Sequence, residues 1–84
     1  MPKIPRNLNS KLIIKYLKRL GFVATRQKGS HIRLSALINN KQSHITIPNH
    51  KPIKIGTLNA ILKELSLILN KSKESIIDEI LESK

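Results

Sequence analysis

The sequence predicts an α+β domain of order α-β-β-β-α, a three-stranded antiparallel sheet with helices on one face, plus an extra C-terminal helix. Three observations carry this reading. Apolar residues recur at helical spacing in residues 10–20, 57–68 and 76–81. Between the first two of these stretches the apolar period falls to two. The period-two runs are broken by Lys28-Gly29-Ser30 and by Asn39-Asn40, both of turn composition. Helical stripes and a half-apolar sheet must cover one another, which gives two layers around one core.

Each element has a local reason. Asn9 or Ser10 can cap the first helix, whose stripe is Ile13, Leu17 and Leu20, with Lys11, Lys15, Lys18 and Arg19 around it. Gly21 then stands where a left-handed ending is required, with Phe22 placed to fold back on Leu17. Residues 22–27 form the first strand, His31–Ile38 the second and residues 42–48 the third. An Asn39-Asn40 turn sets Ile32 opposite Ile47 and Leu34 opposite Ile45, so the apolar pairs share a face. A three-residue loop at Lys28-Gly29-Ser30 would add Phe22 and Ala24 to that face, with Arg26 at its rim. The opposite face carries His31, Arg33, Ser35, His44 and Thr46. Residues 49–56 make a loop, and Thr57 is placed to cap a helix bearing Leu58, Ile61, Leu62 and Leu65. Ser72 can cap the last helix, whose stripe is Ile76, Ile77, Ile80 and Leu81. That stripe needs a surface to bury against, because an isolated helix of this length is marginal in water.

The 84 residues read as one domain, residues 1–84, with a core of about 9–69 and an acidic helical extension at 70–84. Residues 1–7 are a basic, proline-punctuated lead-in. Cysteine is absent, so neither disulfides nor thiolate metal sites are available, and stability rests on 14 Ile and 12 Leu with Tyr16 and Phe22 as the aromatics. No apolar run exceeds three residues. A membrane span needs about 20 and a signal peptide about 7–15, so a cytoplasmic, soluble chain is expected.

Charge is divided along the chain. Residues 1–63 hold 13 Lys/Arg and no carboxylate, while residues 64–84 hold three Lys against all five acids; +13 and −2 give the net +11. A field of one sign over most of a domain attracts polyanions. The same distribution denies the basic part a carboxylate pair or a carboxylate Mg²⁺ site, and no cofactor is called for. Histidine and cations remain, and the groups that titrate near neutrality are His31, His44 and His50. That set suits RNA, whose own 2′-hydroxyl attacks the neighbouring phosphorus once a base takes its proton.

His31 follows a Gly-Ser loop at the rim of the sheet. Gly29 leaves room for a phosphate, Ser30 can donate to it, and Arg26, Lys28 and Arg33 are near enough in sequence to share its charge. On these residues alone, a strand-end histidine on a solvated face is the plainer reading. His44 reads as a surface strand residue. His50, followed by Lys51, is a complementary acid, a phosphate contact or a loop residue, and the sequence leaves these open.

Several segments together resemble the HicA family of toxins. They are Leu17-x-x-Leu20-Gly21-Phe22, Arg26-Gln27-Lys28-Gly29-Ser30-His31-x-Arg33, Ile47-Pro48-Asn49-His50 and Ile55-Gly56-Thr57-Leu58-x-x-Ile61-Leu62. The resemblance runs from about Ser10 to Leu65. It implies a fold like that of double-stranded RNA-binding domains and ribosome-independent mRNA cleavage, with the family's catalytic histidine falling on His31. It also implies a type II toxin–antitoxin system and a HicB-type antitoxin as partner. RNA contacts are expected from Arg26, Lys28, Gly29, Ser30, Arg33, His50 and Lys51, and no membrane. The lead-in and the acidic last helix depart from the short family pattern. A non-catalytic double-stranded RNA-binding module shares the fold order and the charge, and differs in having no use for His31. An accessory protein docked on an acidic partner would show only weak, salt-sensitive attraction to RNA.

Overall fold

The computed structural model describes residues 8–49 and 53–82. Its elements are α1 (Ser10–Arg19), β1 (Val23–Lys28), β2 (His31–Ile38), β3 (Lys41–Pro48), α2 (Ile55–Leu69) and α3 (Lys73–Glu82). The expected order and the antiparallel sheet are both present, with β2 between β1 and β3.

Asn9 caps α1, its side-chain oxygen accepting from the Leu12 amide at 2.9 Å. At the other end Phe22 N–H donates to the Leu17 carbonyl and Gly21 N–H to that of Lys18, with Gly21 at φ +106°. These two bonds are the Schellman pattern, and they stop the helix with Phe22 turned into the core. Phe22 therefore precedes β1 rather than opening it. The second helix starts at Ile55, two residues before the expected Thr57 cap. Its first turn closes on the Lys54 carbonyl, which accepts from Leu58 N–H at 2.9 Å. A capping side chain is worth only about 1 kcal/mol, and continuation of the backbone ladder outweighs it here. Ser72 caps α3 as the sequence suggests, accepting from Ser75 N–H at 3.2 Å.

Asn39 and Asn40 both take positive φ, +52° and +66°, as a two-residue hairpin turn of type I′ demands. The β2–β3 register follows: Ile38 opposite Lys41, Leu34 opposite Ile45, Ile32 opposite Ile47. Leu34, Ala36, Ile45 and Ile47 face the helices and join Ile13, Tyr16 and Leu17 of α1 and Leu58, Ile61, Leu62 and Leu65 of α2 in one core. Both helices lie over β3, so β1 stands clear of the helical layer and every one of its residues is exposed. Ala24 does pair with Leu34, but nothing covers it.

The C-terminal helix packs on α1 and α2, and its Ile76, Ile77 and Ile80 belong to the same core. Polar contacts help to fix it, among them Lys73 Nζ donating to Asn59 Oδ1 of α2 at 2.9 Å. Tyr16 Oη donates to Glu79 Oε1 at 2.8 Å, and Lys71 Nζ reaches Glu79 Oε2 at 2.9 Å. Burial, then the bond to Glu79, raises the Tyr16 hydroxyl far above its ordinary range. The Lys71 ammonium, and after it the Tyr16 hydroxyl, hold the Glu79 carboxyl below its ordinary 4.5. No helix among the described residues is long and apolar enough to cross a membrane.

Two outcomes follow for stability. Ile80 is fully buried, so Ile80→Ala is expected to cost about 2–5 kcal/mol. In a thermal melt that is a drop of roughly 4–8 °C for each kcal/mol, and an unchanged Tm would mean that α3 does not hold the core. Glu79, with its folded pKa lowered, stabilises the protein above about pH 4.5, and that contribution fades as pH falls through the folded value. Glu79→Gln should therefore lower Tm at neutral pH, and the gap to the parent should narrow as melts are taken at successively lower pH below 4.5.

Candidate functional site

Side chains of a strand alternate between faces, so the register that turns Ile32 and Leu34 toward the core turns His31, Arg33 and Ser35 outward. Residues across the sheet then fall into rows on the outer face. The first row is Lys28, His31 and Pro48; the second is Arg26, Arg33 and Thr46; the third is Val23, Ser35 and His44.

The first two rows differ from the sequence expectation in an instructive way. The β1–β2 connection is a two-residue turn, Gly29-Ser30, not a three-residue loop, so Lys28 is a strand residue facing His31 across the ladder. A two-residue turn alone would slip the whole of β1 by one residue and reverse its faces. A bulge at Thr25, between Ala24 and Arg26, absorbs the slip. Ahead of the bulge Ala24 keeps its expected partner Leu34. Beyond it Arg26 pairs with Arg33 and lies on the outer face, not at the rim of the core face. Arg26, Lys28, His31 and Arg33 are thus all exposed on one surface.

Gly29 has φ +58° and Ser30 does not have a positive φ, the pattern of a II′ turn with glycine first. A Cβ at Gly29 would meet nothing within 4 Å, so glycine is required there by the backbone angle rather than by crowding. The turn is anchored from outside. Ser30 carbonyl oxygen accepts from Asn49 N–H, and the Asn49 side-chain oxygen accepts from Ser10 Oγ at 3.2 Å. Ser10 is fully buried at the start of α1. Helix α1, the end of β3 and the turn before His31 are therefore tied together through Asn49. The sequence gives no signal for this role beyond the presence of Asn49 beside Pro48.

The third row is linked by side-chain hydrogen bonds. Ser35 Oγ lies 2.6 Å from His44 Nδ1 and 3.3 Å from Thr25 Oγ1, and Thr25 Oγ1 donates to the Arg33 carbonyl at 3.3 Å. The strand rise of about 3.3 Å per residue puts the Ser35 row on the order of 13 Å from the His31 row. His31 and His44 cannot reach a common phosphate. Of the expected contacts, Arg26, Lys28, Gly29, Ser30, His31 and Arg33 come together, while His50 and Lys51 lie outside the described residues. Among the described residues no three His, Asp or Glu side chains gather where a metal ion could be held. The acids lie on α2 and α3, in the helical layer, and none is on the outer face of the sheet.

The Asn49 anchor has a measurable consequence. Asn49→Ala removes the acceptor of a buried hydroxyl, which costs about 1–3 kcal/mol. In a double-mutant cycle read by denaturant melts, Ser10→Ala should cost less in the Asn49→Ala background than in the parent. Strict additivity would remove the anchor.

A family model described as HicA toxin of bacterial toxin-antitoxin matches residues 10–67, which span α1 through most of α2 and include every site residue named above. Neither the curated proteins nor the solved structures gave a match. The matched stretch covers well over half of the chain and nearly all of the α-β-β-β-α unit, and the chain belongs to the HicA toxins of bacterial toxin–antitoxin systems.

Proposed function

We propose that this toxin acts as a metal-independent endoribonuclease on mRNA, independent of the ribosome, with His31 as its catalytic residue and a HicB-type antitoxin as its protein partner. The observation that carries the reading is the arrangement of the first two rows: one histidine, with three cations around it, on an open face without a carboxylate. A chain of RNA phosphates laid along this face meets Lys28 beside His31 and the Arg26–Arg33 pair in the next row. Two arginines set directly opposite one another repel in the free protein, and an anion between them relieves that repulsion. The contribution of such contacts is electrostatic and independent of base sequence.

The chemistry needs no group from outside the chain. His31 takes the proton of the 2′-hydroxyl as its oxygen attacks the adjacent phosphorus, or gives a proton to the 5′-oxygen as the P–O bond to it breaks. The P–O bond formed and the P–O bond broken balance. The products are a 2′,3′-cyclic phosphate on one fragment and a 5′-hydroxyl on the other. Lys28, Arg26 and Arg33 offset the charge that gathers on the phosphoryl oxygens in between. The turn anchored by Asn49 holds the His31 backbone at the sheet rim, so the imidazole works from a fixed strand.

His31→Ala tests this directly. The side chain is exposed and stands opposite the core face, so the variant should melt with the parent and bind RNA with nearly the same affinity. Cleavage should fall by about 10²–10⁴. Parent activity should persist in EDTA and stop on a substrate with 2′-hydrogen at the cut. Full activity in His31→Ala would move the chemistry elsewhere. A parent that cuts no RNA but binds duplex tightly would instead be a double-stranded RNA-binding module.

A further inference from the structure

The third row of the outer face is not used by the proposed cleavage, yet side-chain hydrogen bonds link it across three strands. His44 is exposed, while Ser35, to which its Nδ1 is bonded, is only 6% exposed. On the same face lie two exposed aliphatic side chains. Val23, 63% exposed, is in the row itself, and Leu37, 69% exposed, is two residues along β2 and diagonal to His44. Apart from His44, the side chains at this end of the face are uncharged, and the Arg26–Arg33 row separates it from His31.

One assignment of the ring nitrogens satisfies all three hydrogen bonds of the row. Each hydroxyl has a single proton. The Thr25 proton goes to the Arg33 carbonyl, leaving Thr25 Oγ1 to accept from Ser35. The Ser35 proton is then spent on Thr25, so Ser35 Oγ accepts from His44 Nδ1–H. Every contact is satisfied by this one direction, His44 to Ser35 to Thr25 to the Arg33 carbonyl. The reverse direction leaves the Arg33 contact unfilled. In the neutral ring Nε2 is then a bare acceptor on the side away from Ser35.

We propose that His44, with Leu37 diagonal to it and Val23 across Ser35 in the same row, forms a nucleobase subsite for single-stranded RNA, and that Nε2 favours a base bearing an exocyclic amine. The proposal rests on the ribonuclease reading above. Unpaired bases stack on histidine and on apolar surface, and an acceptor discriminates an amine from a carbonyl at the base edge. The occupant is RNA because the backbone that the Arg26–Arg33 row neutralises passes directly beside this row, and because a base is flat, uncharged and tethered to that backbone. Thr25 and Ser35 are positioning residues, since they act on RNA only through the ring they hold.

The experiment compares His44→Ala and His44→Phe with the parent on oligoribonucleotides several bases long and on a dinucleotide spanning only the cut. On the long substrates His44→Ala should raise KM roughly 5- to 150-fold, the equivalent of one base stacked on an aromatic ring, with kcat little changed. His44→Phe should keep most of the affinity and lose the preference for cytidine over uridine at that position. On the dinucleotide all three should be alike. Nitrogen-15 spectra of the parent should show neutral His44 protonated at Nδ1, and Ser35→Ala should abolish that bias. Parent-like KM in His44→Ala on long substrates overturns the subsite while leaving the ribonuclease reading standing. Should the parent cut nothing, the ribonuclease reading has failed. Titration of a 2′-deoxy oligonucleotide then judges the subsite, which equal affinity for parent and His44→Ala overturns.

Discussion

The β2–β3 register set by the Asn39-Asn40 turn is the constraint on which the rest of this molecule depends. With both asparagines in the left-handed region, the strands are locked one particular way, and every even residue of β2 from Ile32 to Ala36 turns toward the helices. The same lock turns His31, Arg33 and Ser35 outward. Core and site are two consequences of one register, and a slip of a single residue would exchange them. The burial of Leu34, Ile45 and Ile47 under α1 and α2 therefore also holds His31 in solvent.

On β1 the problem is different, because no helix covers that strand and burial cannot choose its register. Geometry at the two ends does so instead. The Gly29-Ser30 turn fixes one end, the Schellman ending of α1 fixes the other, and the two are out of phase by one residue. The bulge at Thr25 takes up the difference. Its cost in ladder hydrogen bonds is offset locally, since the Thr25 hydroxyl bonds the Arg33 carbonyl and Ser35 Oγ. The bulge is also what brings Arg26 to the same surface as His31 and joins Thr25 to the His44 row. Bulges next to functional surfaces commonly re-aim a side chain in this way.

The separation of charge along the chain becomes a separation in space. The all-basic stretch supplies α1 and the sheet, and the acids ride on α2 and α3 in the helical layer. Among the acids, Glu79 has a structural use, joining Tyr16 and Lys71 where α3 meets α1. The outer face is left with one sign of charge at the His31 end and almost none at the His44 end. A surface graded in this way can hold a phosphate at one end and a base at the other.

By itself the sequence determined the element order, a first-helix start at Asn9 or Ser10, the Ser72 cap, the β2–β3 register and the family. Those features depend on local chemistry and period, which are written along the chain: a capping oxygen, a pair of asparagines, alternation of Ile and polar residues, a Gly-Ser-His segment. It also placed His31 on the solvent face, because a strand's parity is enough to do so. The tertiary structure alone decided where Arg26 and Lys28 point, since that required two distant ends of β1 to be reconciled through a bulge. It alone showed that Asn49 ties Ser10 to the turn before His31, and that Thr25, Ser35 and His44 from three strands form one hydrogen-bonded row. These contacts join residues 9 to 39 positions apart. No local preference encodes such a meeting, and it exists only once the sheet and its covering helices have assembled.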